Sequence, residues 1–337
     1  MPMKSTIIKH PLLEENLIKK AIENHDLIVF PTETVYGLGA SIYDEIAVKK
    51  IFTTKGRPQD NPLIIHIADL SQLDLLVTEV NAYAKKLINA FWPGPLTLVL
   101  PKSNAVPNLI TANLSTVAVR MPKDSLAREV IKAAGVPLCA PSANLSGKPS
   151  GTTFEAVYRD FFGKVAVFVD GGIPEYGIES TVIDLTAKIP TILRPGAVSV
   201  EAIENILGMV VISSSKVDKA PKSPGMKYQH YKPFGDVVIL DGSAEEIVKF
   251  LKKMNDPEAV FMGSNEVCGQ LQSLTMNTFA LGPQSTLETI ARALYRTLRT
   301  LDDLNVKTIY THTFSTKGIG SALMNRLEKA SSKTIKL

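Results

Sequence analysis

The sequence predicts an α/β fold, with a mixed sheet in a first domain and a smaller parallel α/β arrangement in a second. Helical and β-rich segments alternate along most of the chain, and a stretch rich in Ser, Lys and Pro without apolar periodicity, 213–233, interrupts the alternation. The length of 337 residues also exceeds the usual size of one domain. We therefore expect a larger domain over 1–212, a linker over 213–235 and a second domain over 236–337.

The first domain opens with segments that favour alternating helices and strands. Apolar residues at helical spacing are followed by a short apolar or β-branched run, and this order occurs twice. The predicted elements are a helix over 13–25, a strand over 27–32, a helix from Glu45 and a strand over 62–68.

A longer helical segment, 71–91, comes next and is stopped by the sequence WPGP. Six short β-rich runs follow, each bounded by Pro, Gly or Asn: LTLVLP, VAVRMP, VPLCAPS, VAVFVD, TVIDL and TILRP. Helices are predicted in two of the gaps, over 125–135 and 153–163. Because TVIDL and TILRP are too close together for a helical crossover, we expect them to be antiparallel neighbours, which makes the sheet mixed.

The second domain has the alternation typical of a parallel, Rossmann-like sheet. A helix over 199–207 and a short apolar run precede the linker. Beyond the linker we predict strands over 237–240, 259–263, 277–281, 308–313 and 334–337, and helices over 245–255, 287–301 and 321–330. The motifs GxGxxG and GxxxxGK[ST] do not occur there, and the glycine-rich KGIGS, 317–321, is interpreted as an ordinary helix start although such a start can bind an anion.

The composition excludes several classes of protein. With 45% hydrophobic and 21% charged residues, the chain matches the globular average. The two cysteines, Cys139 and Cys268, are far apart and provide too few ligands for a disulfide framework or a zinc site. The N-terminal sequence lacks the apolar core of a signal peptide and no window reaches the length of a membrane span, so we expect a cytoplasmic protein. A net charge of +4 without a block of like charges does not indicate a nucleic-acid binder.

Polar side chains lie at the predicted strand ends of the first domain. In PTETVYGLGA, Thr32 and Thr34 offer hydroxyls, Glu33 offers a carboxylate, and glycines allow a ligand to approach the backbone; an ordinary strand-to-loop turn is the alternative. Arg120 lies in the apolar run VAVRMP, where a guanidinium is unfavourable unless a carboxylate or phosphate meets it. A ligand and a structural ion pair explain Arg120 equally well.

The stretch KGRPQDNPLIIHI places Lys55 and Arg57 on a turn and His66 in the apolar strand that follows. A solvated loop followed by a strand with one core histidine is the alternative interpretation. Further along, APSANLSGKPSGT supplies hydroxyls and backbone N–H groups, GIESTVIDL contributes Ser180, and ILRPG contributes Arg194. Because open α/β sheets bind ligands at their strand ends, these groups together predict a site for a phosphate-rich ligand and a carboxylate.

The sequence shows no nucleophile paired with a base. GxSxG is absent, and neither cysteine stands near a histidine in the sequence. Catalysis by positioning and by stabilisation of charge therefore fits the residues better than covalent catalysis.

Seven of these segments, in this order, resemble the threonylcarbamoyl-AMP synthases, whose catalytic domain has the YrdC-like fold. They are PTETVYGLGA, KGRPQDNPLIIHI, WPGPLTLVL, STVAVRMP, APSANLSG, GIESTVID and ILRPG. The resemblance covers about the first 205 residues, and SPGMKYQHYKP followed by an α/β domain is similar to the two-domain branch of the family. The C-terminal part is matched more by layout than by motif.

The resemblance implies a YrdC-like domain with a twisted mixed sheet and an open cleft. It implies a nucleotidyltransferase that converts L-threonine, bicarbonate and ATP into threonylcarbamoyl-AMP and pyrophosphate. Threonine would be bound by Thr32, His66, Arg120, Ala140 and Ser180. ATP would be bound by Lys55, Arg57, Asn61, Thr116, Ser142, Ser150, Arg194 and Tyr231. Lys55, Arg57 and Arg194 would be catalytic, because they would neutralise charge as pyrophosphate leaves.

The same resemblance implies partners and a cover for the site. Mg²⁺ would accompany the ATP, no residue of the chain is assigned as a metal ligand, and the product would pass to a separate tRNA threonylcarbamoyl transferase, with weak direct contact to tRNA left open. Because carbamates lose carbon dioxide in water, the linker sequence KYQHY is expected to act as a lid.

Two other functions fit the residues less well. A non-catalytic RNA-binding or translation-regulating module is disfavoured because the sequence lacks an RNP-type aromatic strand and an arginine-rich arm. A carbamoyl-AMP-forming enzyme of metallocentre maturation is disfavoured because such proteins carry cysteine-rich zinc motifs.

Overall fold

A computed structural model of the chain describes residues 4–213, 230–254, 256–272 and 275–337. These residues form two compact units. The first unit lies within Met1–Ser146, Ser150–Glu175 and Glu179–Tyr228, and the second within Gly147–Pro149, Tyr176–Ile178 and Gln229–Leu337. The linker predicted over 213–235 falls mostly on 214–229, which lie outside the described residues, so the predicted lid and the domain boundaries stay predictions.

The described part of the first unit contains a sheet of eleven strands. The strands are β1 (Thr6–Ile8), β2 (Ile28–Phe30), β3 (Gly37–Ser41), β4 (Ile64–His66), β5 (Leu96–Pro101), β6 (Thr116–Arg120), β7 (Leu138–Cys139), β8 (Val167–Val169), β9 (Thr181–Asp184), β10 (Thr191–Arg194) and β11 (Ile212–Ser213). Their spatial order is β1-β8-β2-β3-β7-β4-β6-β5-β9-β10-β11. Parallel pairs such as β4–β6 alternate with antiparallel pairs such as β5–β6 and β9–β10, which confirms the mixed sheet.

Helices pack on both faces of this sheet. They are α1 (Glu15–Glu23), α2 (Glu45–Lys55), α3 (Leu73–Leu76), α4 (Ala82–Phe91), α5 (Asn108–Thr111), α6 (Ser125–Ala134), α7 (Phe154–Phe161) and α8 (Val200–Leu207). Side-chain caps set several of their N-termini: Asp44 accepts backbone N–H bonds at the start of α2, Asp124 does so for α6, and Thr153 does so for α7.

The two faces of the sheet are covered differently. On one face, residues of α2 to α5, α7 and α8 form the main core with the strands. On the other face, α1 and α6 pack over β1, β8, β2 and β7. Farther along this second face, a small buried cluster consists of strand residues alone in the described part: Ile64, Val99, Ala118 and Val182, with Leu193 packed against them. This strand-only area is where the candidate site lies.

The long helix predicted over 71–91 is wrong, because backbone pairing with other segments interrupts it. A 3₁₀ turn at Leu70–Gln72 leads into α3, which ends before Val77. Val77 forms a β-bridge with Lys102, and the chain becomes helical again only at α4, where Asn81 caps the N-terminus. The bridge uses backbone N–H and C=O groups that would form hydrogen bonds within a continuous helix.

The glycines of PTETVYGLGA belong to a strand rather than to a ligand-binding turn. Gly37 and Gly39 lie in β3, which is antiparallel to β2. A Cβ at Gly39 would lie 2.6 Å from the Phe30 ring, and one at Gly37 would lie 3.2 Å from the same ring. Glycine at position 39 therefore leaves room for the Phe30 ring, and a side chain at position 37 would need that ring to shift by a few tenths of an ångström.

The second unit is a parallel α/β arrangement, as predicted. Its described strands are β12 (Asp236–Asp241), β13 (Val260–Ser264), β14 (Asn277–Gly282), β15 (Thr308–His312) and β16 (Ser331–Lys336), in the order β14-β13-β15-β12-β16. The helices are α9 (Ala244–Met254), α10 (Asn265–Gln270), α11 (Leu287–Asp303) and α12 (Gly320–Ala330). Of these, α10 was not predicted. Across both units, none of the helices that the structure describes combines the length and hydrophobicity needed to cross a membrane.

The aromatic cluster around Phe168, a residue of the main core, provides a test of packing. Phe168 is fully buried, with its ring centroid 5.0 Å from that of Tyr158, whereas Phe162 touches the same Tyr158 ring but is 57% exposed. We expect Phe168→Ala to lower the free energy of unfolding by about 3–5 kcal/mol because it leaves a cavity, and Phe162→Ala to lower it by less than about 1 kcal/mol. Urea denaturation followed by circular dichroism measures both, and equal losses would contradict the packing described.

Candidate active site

Five adjacent strands present polar side chains on one face. These strands are β4, β6, β5, β9 and β10. The register of β4 with β6 puts His66 beside Arg120, and the register of β5 with β9 puts Thr97 beside Val182. Residues that are paired across strands share a face, and so do residues two apart in one strand. Thr116, Arg120 and His66 therefore lie on the same face as the apolar cluster of Ile64, Ala118, Val99 and Val182. That cluster forms an apolar floor between the polar groups.

A β-bulge brings Arg194 onto the same face. The register between β9 and β10 shifts between Ile192 and Arg194, so that Arg194 pairs with Val182 instead of lying on the main-core side with Ile192. The guanidinium donates from Nε and Nη2 to the carbonyl oxygen of Ser180, at 3.2 and 3.0 Å, and from Nη2 to Ser180 Oγ at 3.2 Å. Two residues predicted to bind different substrates are thus in direct contact.

Arg120 is buried and is bound on several sides. Its Nη2 lies 2.7 Å from Glu33 Oε1 in an ion pair that is almost completely shielded from solvent. Its Nη1 donates to Thr34 Oγ1 at 2.9 Å, and its Nε donates to the carbonyl oxygen of Gly94 at 3.2 Å. Burial alone would raise the pKa of Glu33, but the charge of Arg120 and hydrogen bonds outweigh burial and lower that pKa, so the carboxyl group stays ionised.

Thr32 is engaged within its own turn. Its hydroxyl donates to the carbonyl oxygen of Val35 at 2.7 Å and accepts the backbone N–H groups of Thr34 and Val35. Since the one hydroxyl hydrogen of Thr32 is used, the 2.8 Å contact between the two threonine oxygens has Thr34 as its donor. The side chain of Thr32 is therefore linked to Arg120 through Thr34.

His66 is buried and neutral. Burial, and then the neighbouring charge of Arg120, lower the pKa of His66 to about 3. Its Nδ1 lies 3.2 Å from the carbonyl oxygen of Ile64, which can only accept, so Nδ1 carries the hydrogen and Nε2 presents a lone pair. The ring meets Phe30 edge to face, and the N–H of Ala140 donates to the same Ile64 carbonyl at 2.9 Å. His66 can accept a hydrogen bond here but is a poor general base.

A second cluster surrounds Lys55, at the end of α2. Its Nζ donates to the carbonyl oxygens of Ser142 and Asn144, at 2.6 and 2.5 Å, and Ser142 Oγ donates to Asn144 Oδ1. Ser142 also forms a β-bridge with Gly37 in β3. β3 pairs with β7, the strand that ends immediately before Ala140. The bridge connects this cluster to the strands that carry Ala140 and His66.

The loop before β4 carries two further predicted residues. Arg57 donates to the carbonyl oxygens of Asn61 and Pro62, with the shorter bond 3.0 Å long, and the side chain of Asn61 is buried. Internal hydrogen bonds therefore shape this turn. Of the two predicted residues, Arg57 is more exposed than Asn61.

Of the remaining predicted residues, two lie in the first unit and one in the second. Thr116 begins β6, on the same face as Arg120 but at the other end of the strand. Ser150 is fully buried and donates from Oγ to Glu179 Oε1 at 2.6 Å, next to Ser180 in the chain. Tyr231 belongs to the second unit, where its ring packs 5.3 Å from the ring of Tyr295. The contact of Tyr231 with ATP therefore stays a prediction.

Several side chains in these networks were not assigned a role from sequence, among them Glu33, Glu179 and Thr97. Glu33 pairs with Arg120, Glu179 accepts from Ser150, and Thr97 Oγ1 lies 2.8 Å from Ser180 Oγ. A signal existed for the first two, because each carboxylate stands beside a Ser or Thr at a predicted strand end. Thr97 is an isolated hydroxyl in an apolar strand, and only the register shows which face it occupies.

The arrangement can bind two kinds of group. Around one end of the apolar floor, Arg120 offers N–H donors, Ser180 a hydroxyl and His66 an acceptor. Positive charge is provided by Lys55 at the end of α2, by Arg57 in the loop that follows it and by Arg194 in β10. In the part of the chain that the structure describes, no group of three or more His, Cys, Asp or Glu side chains could hold a metal ion.

Comparison with known proteins gives matches over nearly the whole chain. A family model described as "Telomere recombination" matches residues 20–196, and one described as "Threonylcarbamoyl-AMP synthase, C-terminal domain" matches residues 198–332. The chain is 47% identical to the threonylcarbamoyl-AMP synthase of Pyrococcus abyssi, over 92% of both chains. It is 44% identical to that of Bacillus subtilis, over 92% of this chain and 90% of the relative.

Solved structures show the same similarity in three dimensions. The crystal structure of P. abyssi Sua5 complexed with L-threonine matches with a TM-score of 0.91 at 42% identity, over 100% of both chains. The structure of a variant of P. abyssi Sua5 matches with a TM-score of 0.90 at 43% identity, over 99% of this chain and 98% of that chain. The predicted fold class is confirmed.

The lowered pKa of His66 predicts a dependence of stability on pH. The unfolded chain protonates this histidine below about 6.5, whereas the native ring stays neutral until about 3, so the unfolded state binds more protons and stability falls as the pH falls through this window. Between pH 7 and pH 5 we expect the wild-type protein to lose about 2 kcal/mol more unfolding free energy than His66→Gln. Urea denaturation at the two pH values measures this, and equal losses would show that the native ring takes up a proton as readily as the unfolded chain does.

Proposed function

The chain belongs to the threonylcarbamoyl-AMP synthase family, and on that premise we propose that it condenses L-threonine, bicarbonate and ATP to threonylcarbamoyl-AMP and pyrophosphate. Its family makes it an enzyme of the nucleotidyltransferase type. The observation that supports the proposal best is the common face of His66, Arg120, Ser180 and Arg194, which presents groups for a carboxylate beside groups for a phosphate.

Threonine binds at the Arg120 end of this face. Its carboxylate meets the guanidinium of Arg120, whose planar N–H groups suit a carboxylate, while the hydroxyl of Ser180 contributes beside it. His66 accepts a hydrogen bond at Nε2 from the amine or hydroxyl of the substrate. Ala140 contributes its backbone and small volume, and Thr32 acts through the turn that it stabilises. The threonine complex of P. abyssi Sua5 supports this assignment by analogy.

ATP binds beside threonine, with its phosphates towards the cations. Lys55, Arg57 and Arg194 neutralise the triphosphate, and the other nucleotide contacts are assigned to Asn61, Thr116, Ser142, Ser150 and Tyr231. Mg²⁺ arrives as part of the MgATP substrate, bound by phosphate oxygens and water. The cations and hydroxyls of the proposed site fit an MgATP substrate, because they can bind phosphate oxygens and do not replace those oxygens as ligands of the metal.

The chemistry proceeds through a carbamate and needs no covalent intermediate with the protein. The threonine nitrogen forms a bond to the carbon of bicarbonate with loss of water, and the resulting carbamate oxygen attacks the α-phosphorus of ATP. The bond from the α-phosphorus to the bridging oxygen breaks, and pyrophosphate leaves with the electron pair. Lys55, Arg57 and Arg194 stabilise the charge that grows on the leaving group.

The protein contributes positioning rather than a strong base. In the ligand-free protein the pKa of His66 is lowered to about 3, so the ring offers an uncharged acceptor to the incoming substrate. The amine proton therefore leaves to solvent or bicarbonate. The product is a reactive mixed anhydride, and we assign its use to a separate tRNA threonylcarbamoyl transferase that modifies tRNA; weak contact of this chain with tRNA is also part of the proposal.

The reaction itself is tested by pyrophosphate release. Purified protein incubated with ATP, bicarbonate and Mg²⁺ is expected to release pyrophosphate only when L-threonine is added, and mass spectrometry is expected to detect threonylcarbamoyl-AMP. L-Serine, which lacks the methyl group, serves as the matched substrate control and is expected to react more slowly. Pyrophosphate release that is independent of threonine would overturn the proposal.

Arg120 is tested best by a substitution that keeps its charge. Arg120→Ala would leave Glu33 as an uncompensated buried carboxylate, at a cost of about 3–5 kcal/mol, and would confuse binding with folding. Arg120→Lys keeps the charge but lacks the planar fork, so we expect the KM for threonine to rise at least about tenfold and the KM for ATP to change less than about twofold. Equal changes in both constants would contradict the assignment of Arg120 to threonine.

A further inference from the structure

We propose that Glu33 and Thr34 are positioning residues that set the orientation in which Arg120 meets the substrate carboxylate. This inference rests on the proposed function, because it takes Arg120 to be the group that binds threonine. We call the three groups that surround the guanidinium the Arg120 cradle: the Glu33 carboxylate, the Thr34 hydroxyl and the Gly94 carbonyl oxygen.

The cradle contacts each nitrogen of the guanidinium separately. Gly94 accepts from Nε, Thr34 accepts from Nη1, and Glu33 lies 2.7 Å from Nη2. Each terminal nitrogen of a guanidinium carries two N–H groups, and a carboxylate can accept one from each when the plane of the guanidinium is turned towards it. Because each nitrogen has its own partner, the plane of the guanidinium is determined before any ligand binds.

A directed chain of hydrogen bonds stabilises the Thr34 side of the cradle. Arg120 donates to Thr34, Thr34 donates to Thr32, and Thr32 donates to the carbonyl oxygen of Val35. Every hydroxyl in the chain both donates and accepts, so each bond polarises the next. This chain gives Thr32, whose side chain is saturated by its own turn, an indirect role in binding.

The other two sides of the cradle are held by the backbone. Glu33 Oε2 accepts the N–H of Asp124, the residue that caps α6. Gly94 donates its own N–H to the carbonyl oxygen of Met121, next to Arg120, and a Cβ at Gly94 would overlap the carbonyl oxygen of Phe91. These contacts restrain both groups against following a rotation of the guanidinium.

The charge balance explains why orientation matters here. Glu33 already offsets the charge of Arg120, so the pair presents little net attraction to a carboxylate at a distance. Binding then depends on two N–H groups that point correctly. A substitution that keeps all charges but loosens the cradle should therefore weaken threonine binding and leave ATP binding unchanged.

The test uses two charge-conserving variants of the full chain. Glu33→Asp shortens the reach of the carboxylate by one methylene, and Thr34→Val removes one hydroxyl at constant volume. We expect each to raise the KM for threonine about tenfold and to change the KM for ATP less than about twofold. Thr34→Ser keeps the hydroxyl and is expected to restore the KM for threonine to within about twofold of wild type.

Thr311→Val is the matched control. Thr311 is a fully buried strand threonine of the second unit whose hydroxyl has no hydrogen-bond partner among the described residues. The control is expected to leave both KM values at wild-type levels. A thermal melt of every variant separates loss of folding from loss of binding.

The outcomes separate this inference from the proposed function. If the wild-type protein makes threonylcarbamoyl-AMP but Glu33→Asp and Thr34→Val keep the wild-type KM for threonine, the cradle is only a structural ion pair and the inference is wrong. The same holds if both KM values rise together or if Thr34→Ser does not recover. If the wild-type protein shows no threonine-dependent turnover, the proposed function is wrong. Calorimetry with threonine alone then tests the cradle by itself. Weaker binding of threonine by Glu33→Asp and Thr34→Val than by wild type would support the inference, and equal binding would overturn it.

Discussion

A guanidinium buried in a β-strand constrains how several segments of the first unit fold around it. Arg120 lies among apolar strand residues, and a cation in such surroundings is tolerated only when both its charge and its N–H groups have partners. Two segments far from Arg120 in the chain supply these partners, the turn after β2 and the loop before β5. The start of α6 donates a backbone N–H to the Glu33 carboxylate. The folding of these segments around one side chain also determines the geometry of the candidate site.

The pleat of the sheet determines on which face the other residues of the candidate site lie. Side chains alternate between the two faces, so one face of β4, β6, β5 and β9 is filled by the main core while the other carries His66, Arg120 and Ser180 over a small apolar floor. A bulge in β10 adds Arg194 to the second face, where it touches Ser180. The residues proposed for threonine and for ATP are therefore adjacent because of strand register, not because of proximity in sequence.

Much of this could be predicted from patterns in the sequence. Most helices and strands were found because apolar spacing and Gly or Pro boundaries are local signals, and the family was recognised from segments whose residue types are unusual at strand ends. The failures share a cause. The helix predicted over 71–91 is broken by a β-bridge between Val77 and Lys102, and the glycines of β3 leave room for the ring of Phe30. Both depend on a neighbour distant in sequence, which no local pattern contains.

By itself, the sequence determined the alternation of elements, the family and the residue types that the site would use. It left open whether Arg120 met a ligand or a structural partner. The tertiary structure decided that Glu33 pairs with it, that Thr34 links it to Thr32, and that a bulge turns Arg194 towards Ser180. The physical reason is that periodicity and composition are properties of neighbouring residues, whereas the partner of a buried charge and the face on which a side chain lies are set by strand pairing over long separations.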